Sequence, residues 1–419
     1  MKIAFVNPPT KYAVEPRVYP PVGLGYLAAA VNTRTKHVAE VLDLAGHSIE
    51  EAAERIILGA YDIVGFTASS TYWADMLSTA AYVARFQPLV QLIVGGPHVT
   101  ITRARPDLFR AVFYGSADAS IVTWLDDGQP YGSFESIPMG VDELPIPEAP
   151  LAKGVNSFDG GQTAIIYSGF GCTHMCSFCA ARAMFGRLQF RSVPHVMAEV
   201  DHYIARGVSH IRFMDDAFTM GRRRTLELCE ALKDRAVDWG CMARVDQVDM
   251  NLLNVMKASG CVNIAYGIES FDDKVLKLLD KGALASRNSE AIKLTYEAGI
   301  PCTAFIMVGT PGETEYTIAE NLDVLDYHSR RITKILLQTF MPVPGCAIWE
   351  DPEKYGIQIV DRDYSKYNAH QWMPGPDGPM ETPIWSPIRI DGLTYEQQCL
   401  NHRRMRDFAA GHTNKGVYS

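Results

Sequence analysis

The sequence predicts an α/β protein: a doubly wound, Rossmann-like N-terminal domain, then a partial (β/α)6 TIM-like barrel and a small C-terminal region. Three observations predict this. Short Val/Ile/Leu-rich runs alternate with helical patterns through roughly the first 125 residues, as parallel strands covered on both faces do. A Gly-, Pro- and Asp-rich stretch at 126–160 then breaks the series. From 161 six further apolar runs follow, separated by amphipathic helical stretches. The boundaries expected are 1–130, a linker at 131–160, the barrel at 161–345 and a substrate-side region at 346–419.

In the first series the runs are KIAFVN (2–7), AEVLDL (39–44), DIVGFTA (62–68), LIVGG (92–96) and AVFYG (111–115), a sheet of about five strands. Open sheets of this kind bind ligands beyond the carboxyl ends of their strands. Those ends carry Asn7-Pro8-Pro9, Asp43, Thr67-Ala68-Ser69, Gly95-Gly96-Pro97-His98 and Gly115-Ser116, which are small, polar or Gly/Pro-rich. The second series is TAIIYSG (163–169), HIRFMDD (210–216), GCMARVD (240–246), NIAYGIES (263–270), PCTAFIMVG (301–309) and KILLQTF (334–340). In such a barrel catalytic groups gather at the C-terminal strand ends. Beyond 346 come the loop-like QWMPGPDGPMETPIWSP and one helical pattern, TYEQQCLNHRRMRDFAA. This region is expected to pack across the open side of the barrel, its Pro/Gly-rich stretch being part of a substrate chamber or a surface loop.

The formal charge of −9 argues against nucleic acid as the main partner. No apolar run reaches membrane-spanning length, and the apolar run in MKIAFVNPP is too short for a signal sequence. A cytoplasmic protein with neither membrane nor nucleic-acid partner is expected. Six of the nine cysteines, Cys229, Cys241, Cys261, Cys302, Cys346 and Cys399, lie singly in apolar surroundings and are read as small buried residues in a reducing compartment.

The other three stand together in GFGCTHMCSFCAAR. Cys172, Cys176 and Cys179 have the spacing C-x3-C-x2-C. Three thiolates this close can hold three corners of a [4Fe–4S] cube and leave the fourth iron open to a small molecule. Three structural cysteines, or a zinc site lacking a ligand, would share the spacing. Zinc sites, however, usually add a second Cys or His pair, and His174 alone is not one.

This segment, with Phe178 before the last cysteine and Gly169 and Gly171 before the first, resembles the radical SAM superfamily. The resemblance covers about residues 161–345. It implies that S-adenosylmethionine chelates the open iron and is cleaved to a 5′-deoxyadenosyl radical, with a low-potential electron donor such as ferredoxin or flavodoxin. Carried over strand by strand, it implies contacts to S-adenosylmethionine from Phe178, from Asp215 and Asp216 in FMDDAF, and from Arg244 in CMARVD. It also implies Glu269 and Ser270 in AYGIES, Gly309 in FIMVGTPGET and Met341 in FMPVPG. The family's Gly-Gly-Glu is absent. Asp216 and Glu313 could also be helix caps.

Two readings compete for the N-terminal domain. Gly23, Gly25 and Ala28 fit the dinucleotide fingerprint G-x-G-x-x-A, but about fifteen residues separate it from its strand. The runs AFVNPP, YPPVGLGYLAAAV, VLDL, DIVGFTASS and LIVGGPHVT resemble the cobalamin-binding domain fused to many radical SAM enzymes. That likeness implies corrin contacts from Asn7, Pro8, Pro9, Gly23, Leu24, Asp43, Thr67, Ser69, Gly95, Gly96, His98 and Gly115. The D-x-H-x-x-G signature of a cobalt-ligating histidine is missing, and Gly115-Ser116-Ala117-Asp118 replaces the usual Gly-Glu-x-Glu. Together these resemblances imply a cobalamin-dependent radical SAM methylase acting on an unactivated carbon of a small metabolite through methylcobalamin. The alternatives are radical rearrangement, cyclisation or oxidation, and a non-catalytic cobalamin sensor or carrier.

Overall fold

The computed structural model describes residues 1–10, 20–147, 162–363 and 386–413. Two compact units separate, one built around 1–147 and the other around most of 162–363 with 386–413.

In the first unit a parallel sheet holds β1 (Lys2–Asn7), β2 (Val38–Asp43), β3 (Ile63–Thr67), β4 (Gln91–Gly95), β5 (Ala111–Tyr114) and β6 (Gly132–Glu135). Its strand order is β2-β1-β3-β4-β5-β6, so the topology switches between β1 and β3. Alternation along β1 explains the double winding. Ile3 and Phe5 pack with residues of α1 (Val22–Arg34) and with Ile121, Trp124 and Leu125. Ala4 and Val6 face the other way, with residues of α2 (Ile49–Leu58) and α3 (Trp73–Phe86). Ser48 and Glu51 close a reciprocal capping box at the start of α2. The sixth strand falls in the stretch expected to be linker. Its residues, GSFE, alternate between half-buried and exposed and offer no apolar run, as an edge strand can.

The second unit opens with β7 (Thr163–Ile166). A short antiparallel pair follows, β8 (Gly169–Phe170) and β9 (Gln189–Phe190), which pins both ends of the cysteine loop. Then come β10 (His210–Phe213), β11 (Asp238–Ala243), β12 (Cys261–Glu269), β13 (Cys302–Val308) and β14 (Lys334–Thr339). These pair in parallel as β14-β13-β12-β11-β10-β7, the six-stranded partial barrel expected. One face of its strands is sealed under helices. Tyr266 bonds Thr295 of the helix Ala285–Glu297 at 2.8 Å, and Trp239 donates to the Ser259 carbonyl at 2.8 Å.

Beyond 346, β15 (Ile357–Ile359) and β16 (Ile388–Ile390) pair antiparallel before a helix at Tyr395–Thr413. That helix flanks β14, with His402 2.6 Å from the Thr339 hydroxyl and His412 2.8 Å from the Ile332 carbonyl. Most of QWMPGPDGPMETPIWSP lies outside the described residues. Of the six scattered cysteines, five are buried and Cys399 is half-buried. Among the described residues no helix is long and apolar enough to cross a membrane.

Candidate active site

In the second unit the cysteine loop leaves the C-terminal end of β7 and is anchored at its centre. Ser177 donates from its amide to the Leu279 carbonyl (2.9 Å) and from its hydroxyl to the Leu278 carbonyl (2.9 Å). It also accepts from the Ile348 amide at 3.0 Å. The flanking thiols are left at the surface of the loop, where amides find them: His174 N–H reaches Cys172 Sγ at 3.5 Å and Ala181 N–H reaches Cys179 Sγ at 3.4 Å. Arg244, at the end of β11, reaches Cys176 Sγ at 3.8 Å. Among the described residues no three Cys, His, Asp or Glu groups gather tightly enough around one metal ion. Three thiols spread over one loop, each with an N–H donor, are a donor set suited to the separate corners of an iron–sulfur cube.

Arg244 is buried and makes four contacts with three residues. Its guanidinium pairs with both oxygens of Asp246 (3.0 Å each), donates to the Lys281 carbonyl (2.6 Å) and touches Cys176. Lys281 in turn forms a buried ion pair with Glu269 at 2.8 Å and lies 5.7 Å from the centre of the Phe178 ring. Glu269 sits at φ +64° on a register shift of β12, a left-handed conformation that costs a non-glycine residue about 1–3 kcal/mol. Gly267 makes room for the pair. A Cβ there would lie 2.5 Å from Glu269 Oε1 and 2.7 Å from Lys281 Nζ.

The two adjacent aspartates divide. Asp215 is buried, and both its oxygens are taken by Ser168, through the amide (2.6 Å) and the hydroxyl. Burial pushes its carboxyl up to about 6. It braces the start of the loop, and its two oxygens are engaged there and not turned out as the ligand contact the resemblance implies. Asp216 is exposed, accepts from the Gly171 amide and lies within charge range of Cys172 and Cys179. Ser270 also departs from expectation. Its hydroxyl donates to Asn321 (3.2 Å) and accepts from the Asp272 amide (3.1 Å), so it shapes the turn after β12. Gly309 donates to Glu313 Oε2 at 2.6 Å, and Met341 is half-buried beyond β14.

In the first unit the expected rim lies at the carboxyl ends of the strands. Asn7 donates to Asp43 at 2.8 Å, and buried Pro8 and Pro9 follow. Thr67 hydrogen-bonds Tyr72, whose hydroxyl feels the Asp43 charge and is pushed up to about 12 by burial. Thus Tyr72, which the sequence reading passed over, links β3 to β2 across the switch point. Ser69 bonds Thr71 (3.1 Å), and the Gly115 amide donates to Thr100 (2.9 Å). Gly96 has φ +100°, and a Cβ on it would lie 2.7 Å from Ala68 N. Beyond Gly23 a Cβ would meet nothing within 4 Å, and Gly95 is open but for Phe113. This small, polar, backbone-rich rim fits a large planar cofactor.

Two expected rim contacts turn inward. Leu24 is 7% exposed and belongs to the core between sheet and helices. The His98 ring is buried, 4.2 Å from the Trp73 ring centre, with Nδ1 2.9 Å from Ser70. Burial lowers its pKa to about 4, so it is a neutral packing residue.

Residues 166–325 match the model of the radical SAM superfamily, and 13–121 match that of the B12 binding domain. An uncharacterized methyltransferase of Pyrococcus horikoshii is 29% identical over 395 residues, spanning 84% of this chain and 83% of its own. The anaerobic magnesium-protoporphyrin IX monomethyl ester cyclase of Cereibacter sphaeroides is 25% identical over 417 residues, 88% of this chain and 66% of that one. In fold, the radical S-adenosylmethionine methyltransferase TsrM of Kitasatospora setae, solved with cobalamin and a [4Fe–4S] cluster, superposes with a TM-score of 0.72 at 16% identity. That likeness covers 96% of this chain and 90% of TsrM.

Proposed function

Since this chain belongs to the cobalamin-dependent radical SAM enzymes, we propose that it methylates an unactivated carbon of a small metabolite. The observation that carries the reading is the presence of both a three-cysteine radical SAM loop and a B12-type rim in a chain that resembles a methyltransferase along 84% of its length. When bound, the cluster, S-adenosylmethionine and cobalamin supply a 5′-deoxyadenosyl radical and a transferable methyl group.

The chain's own residues bind and orient. Cys172, Cys176 and Cys179 hold three irons, and the His174 and Ala181 amides with Arg244 place positive dipoles and charge beside the thiolates. Asp216, exposed at the same strand end, is assigned to the ammonium group of S-adenosylmethionine. Phe178, Gly309 and Met341 are assigned to its adenosyl part. Arg244 and the Lys281–Glu269 pair position these contacts from behind. Asn7, Pro8, Pro9, Gly23, Asp43, Thr67, Ser69, Gly95, Gly96 and Gly115 are assigned to the corrin rim, joined by Tyr72. With the His98 ring buried against Trp73 and its Nδ1 engaged by Ser70, we assign no imidazole of this chain to the cobalamin. We further propose a ferredoxin- or flavodoxin-type electron donor and a reducing, cytoplasmic setting.

The likeness to the cyclase favours a second reading, radical ring formation or oxidation without methyl transfer. Reduced, cobalamin-loaded protein incubated with cell extract and methyl-labelled S-adenosylmethionine separates the two. The methylase reading expects a new labelled metabolite. An extract whose metabolites change mass without gaining label would overturn it.

A further inference from the structure

The strands of the barrel alternate between a sealed and an open face. Cys241, Tyr266, Ala304 and Ile335 are fully or nearly fully buried under the helices, whereas Met214, Met242, Phe305 and Leu336, on the opposite face, are only half-buried. Neighbours in parallel register share a face. Reading the register across the open face near the strand starts gives Arg212 beside Gly240, Gly240 beside Asn263, and Thr303 beside Lys334. Side-chain bonds tie the row together: Arg212 donates to Asn263 Oδ1 (3.0 Å), whose Nδ2 donates to Thr303 (3.1 Å). Gly240 leaves the space between Arg212 and Asn263 clear of a side chain.

Among the described residues this floor carries two cations and no counterion for them. Arg212 is 9% exposed, with Nε buried and without a partner. Among the described residues neither Arg212 nor Lys334 has an acidic partner, and Lys334 is half-buried. Lys334 is held below its usual value by burial and by the charge of Arg212. Asp238, at the start of β11, is about half exposed and lies 3.9 Å from His210. A buried guanidinium with an empty donor, within charge range of a second cation, is costly unless an anion joins them.

We propose that Arg212 and Lys334, with the Thr303 hydroxyl, and with Asn263 holding Arg212 in place through bonds to Thr303 and the Pro301 carbonyl, form a binding site for an oxyanion of the substrate, a carboxylate or a phosphoryl group. The substrate is then an acid whose apolar body runs up the lumen past Met214, Met242, Phe305 and Leu336 toward the cysteine loop. This specifies the substrate class of the enzyme proposed above and rests on that reading for the reacting end alone.

Titration calorimetry on cluster-reconstituted, cobalamin-loaded protein tests it with three probes: 3-phenylpropionate, phenyl phosphate and neutral 3-phenylpropanamide. At least one of the two anions should bind one per chain, about tenfold or more tighter than the amide, since one charge-assisted bond is worth about that factor. Preference for phenylpropionate identifies a carboxylate substrate, and preference for phenyl phosphate a phosphorylated one. Lys334→Gln, at a half-buried position, should weaken anion binding about tenfold while keeping the cluster absorbance that reports a folded barrel. Arg212→Gln should weaken it further. Equal binding of anion and amide, no binding of either anion, or undiminished binding by Lys334→Gln overturns the proposal. The assay needs no turnover. If anions bind as described but reduced protein forms no 5′-deoxyadenosine, the site stands and the enzymatic reading falls. The converse pair of results removes the site alone.

Discussion

Glu313→Gln should change how the stability of the second unit depends on pH. Glu313 is 2% exposed. Its Oε2 accepts from the Gly309 amide at 2.6 Å and its Oε1 from Asn401 at 3.1 Å. Burial nevertheless wins, raising the carboxyl from 4.5 to about 7. A carboxyl raised on folding binds its proton more tightly in the native state. The stability it confers is therefore full below the unfolded value and is lost as pH rises through the folded one. Over the window from 4.5 to about 7 the wild-type protein should lose up to about 3 kcal/mol on this account. Gln fits the same space: its oxygen can keep the Gly309 bond, and Asn401, whose Oδ1 is buried without a partner, can turn to accept from the new amide. Urea unfolding of both proteins across this window, followed by circular dichroism, measures the difference. The two should be nearly equal at the acid end, with Glu313→Gln the more stable at the neutral end. Parallel curves across the window would refute the reasoning.

Three other substitutions probe the supports of the site. Lys281→Met leaves the Glu269 carboxylate buried and alone, which should destabilise the protein by about 3–5 kcal/mol, and adding Glu269→Gln should recover much of that loss; equal stability of the single and double variants would count against it. Arg244→Met should speed cluster loss to a chelator about tenfold, because Cys176 and the Lys281 carbonyl lose their shared donor. An unchanged rate would remove Arg244 from that role. Gly96→Ala must place a Cβ at φ +100° against the Ala68 backbone, so it should cost about 1–3 kcal/mol and weaken cobalamin retention on gel filtration; wild-type retention would show that the rim tolerates the shift.

Both sheets were legible because each strand is an apolar run between turn residues, and parallel strands leave that signature wherever both faces are covered or one lines a lumen. β6 was not, because an edge strand of four residues with alternating exposure looks like the loop around it. The cysteine loop was legible from spacing alone. Its supports were hidden for a different reason. Lys281 in LLDKG reads as a surface lysine until the fold brings Glu269 to it, twelve residues back on a bulged strand. Likewise Asp215 and Asp216 are equivalent in sequence, and only Ser168, on another strand end, decides which carboxylate is consumed. The family resemblance implies rim contacts from Leu24 and His98, but helical rotation turns both side chains inward. Tyr72 carried one usable signal, an aromatic directly after the polar end of the third strand.

The central claim is that one barrel site both donates a methyl group and generates a radical from S-adenosylmethionine. Reduced, cluster- and cobalamin-loaded protein, given its substrate from cell extract and methyl-labelled S-adenosylmethionine, should form S-adenosylhomocysteine and 5′-deoxyadenosine in equal amounts with each labelled product. Cys176→Ala should abolish 5′-deoxyadenosine. If 5′-deoxyadenosine accompanies product while S-adenosylhomocysteine does not, the methylase account is contradicted; if Cys176→Ala retains full activity, the cluster assignment is contradicted as well.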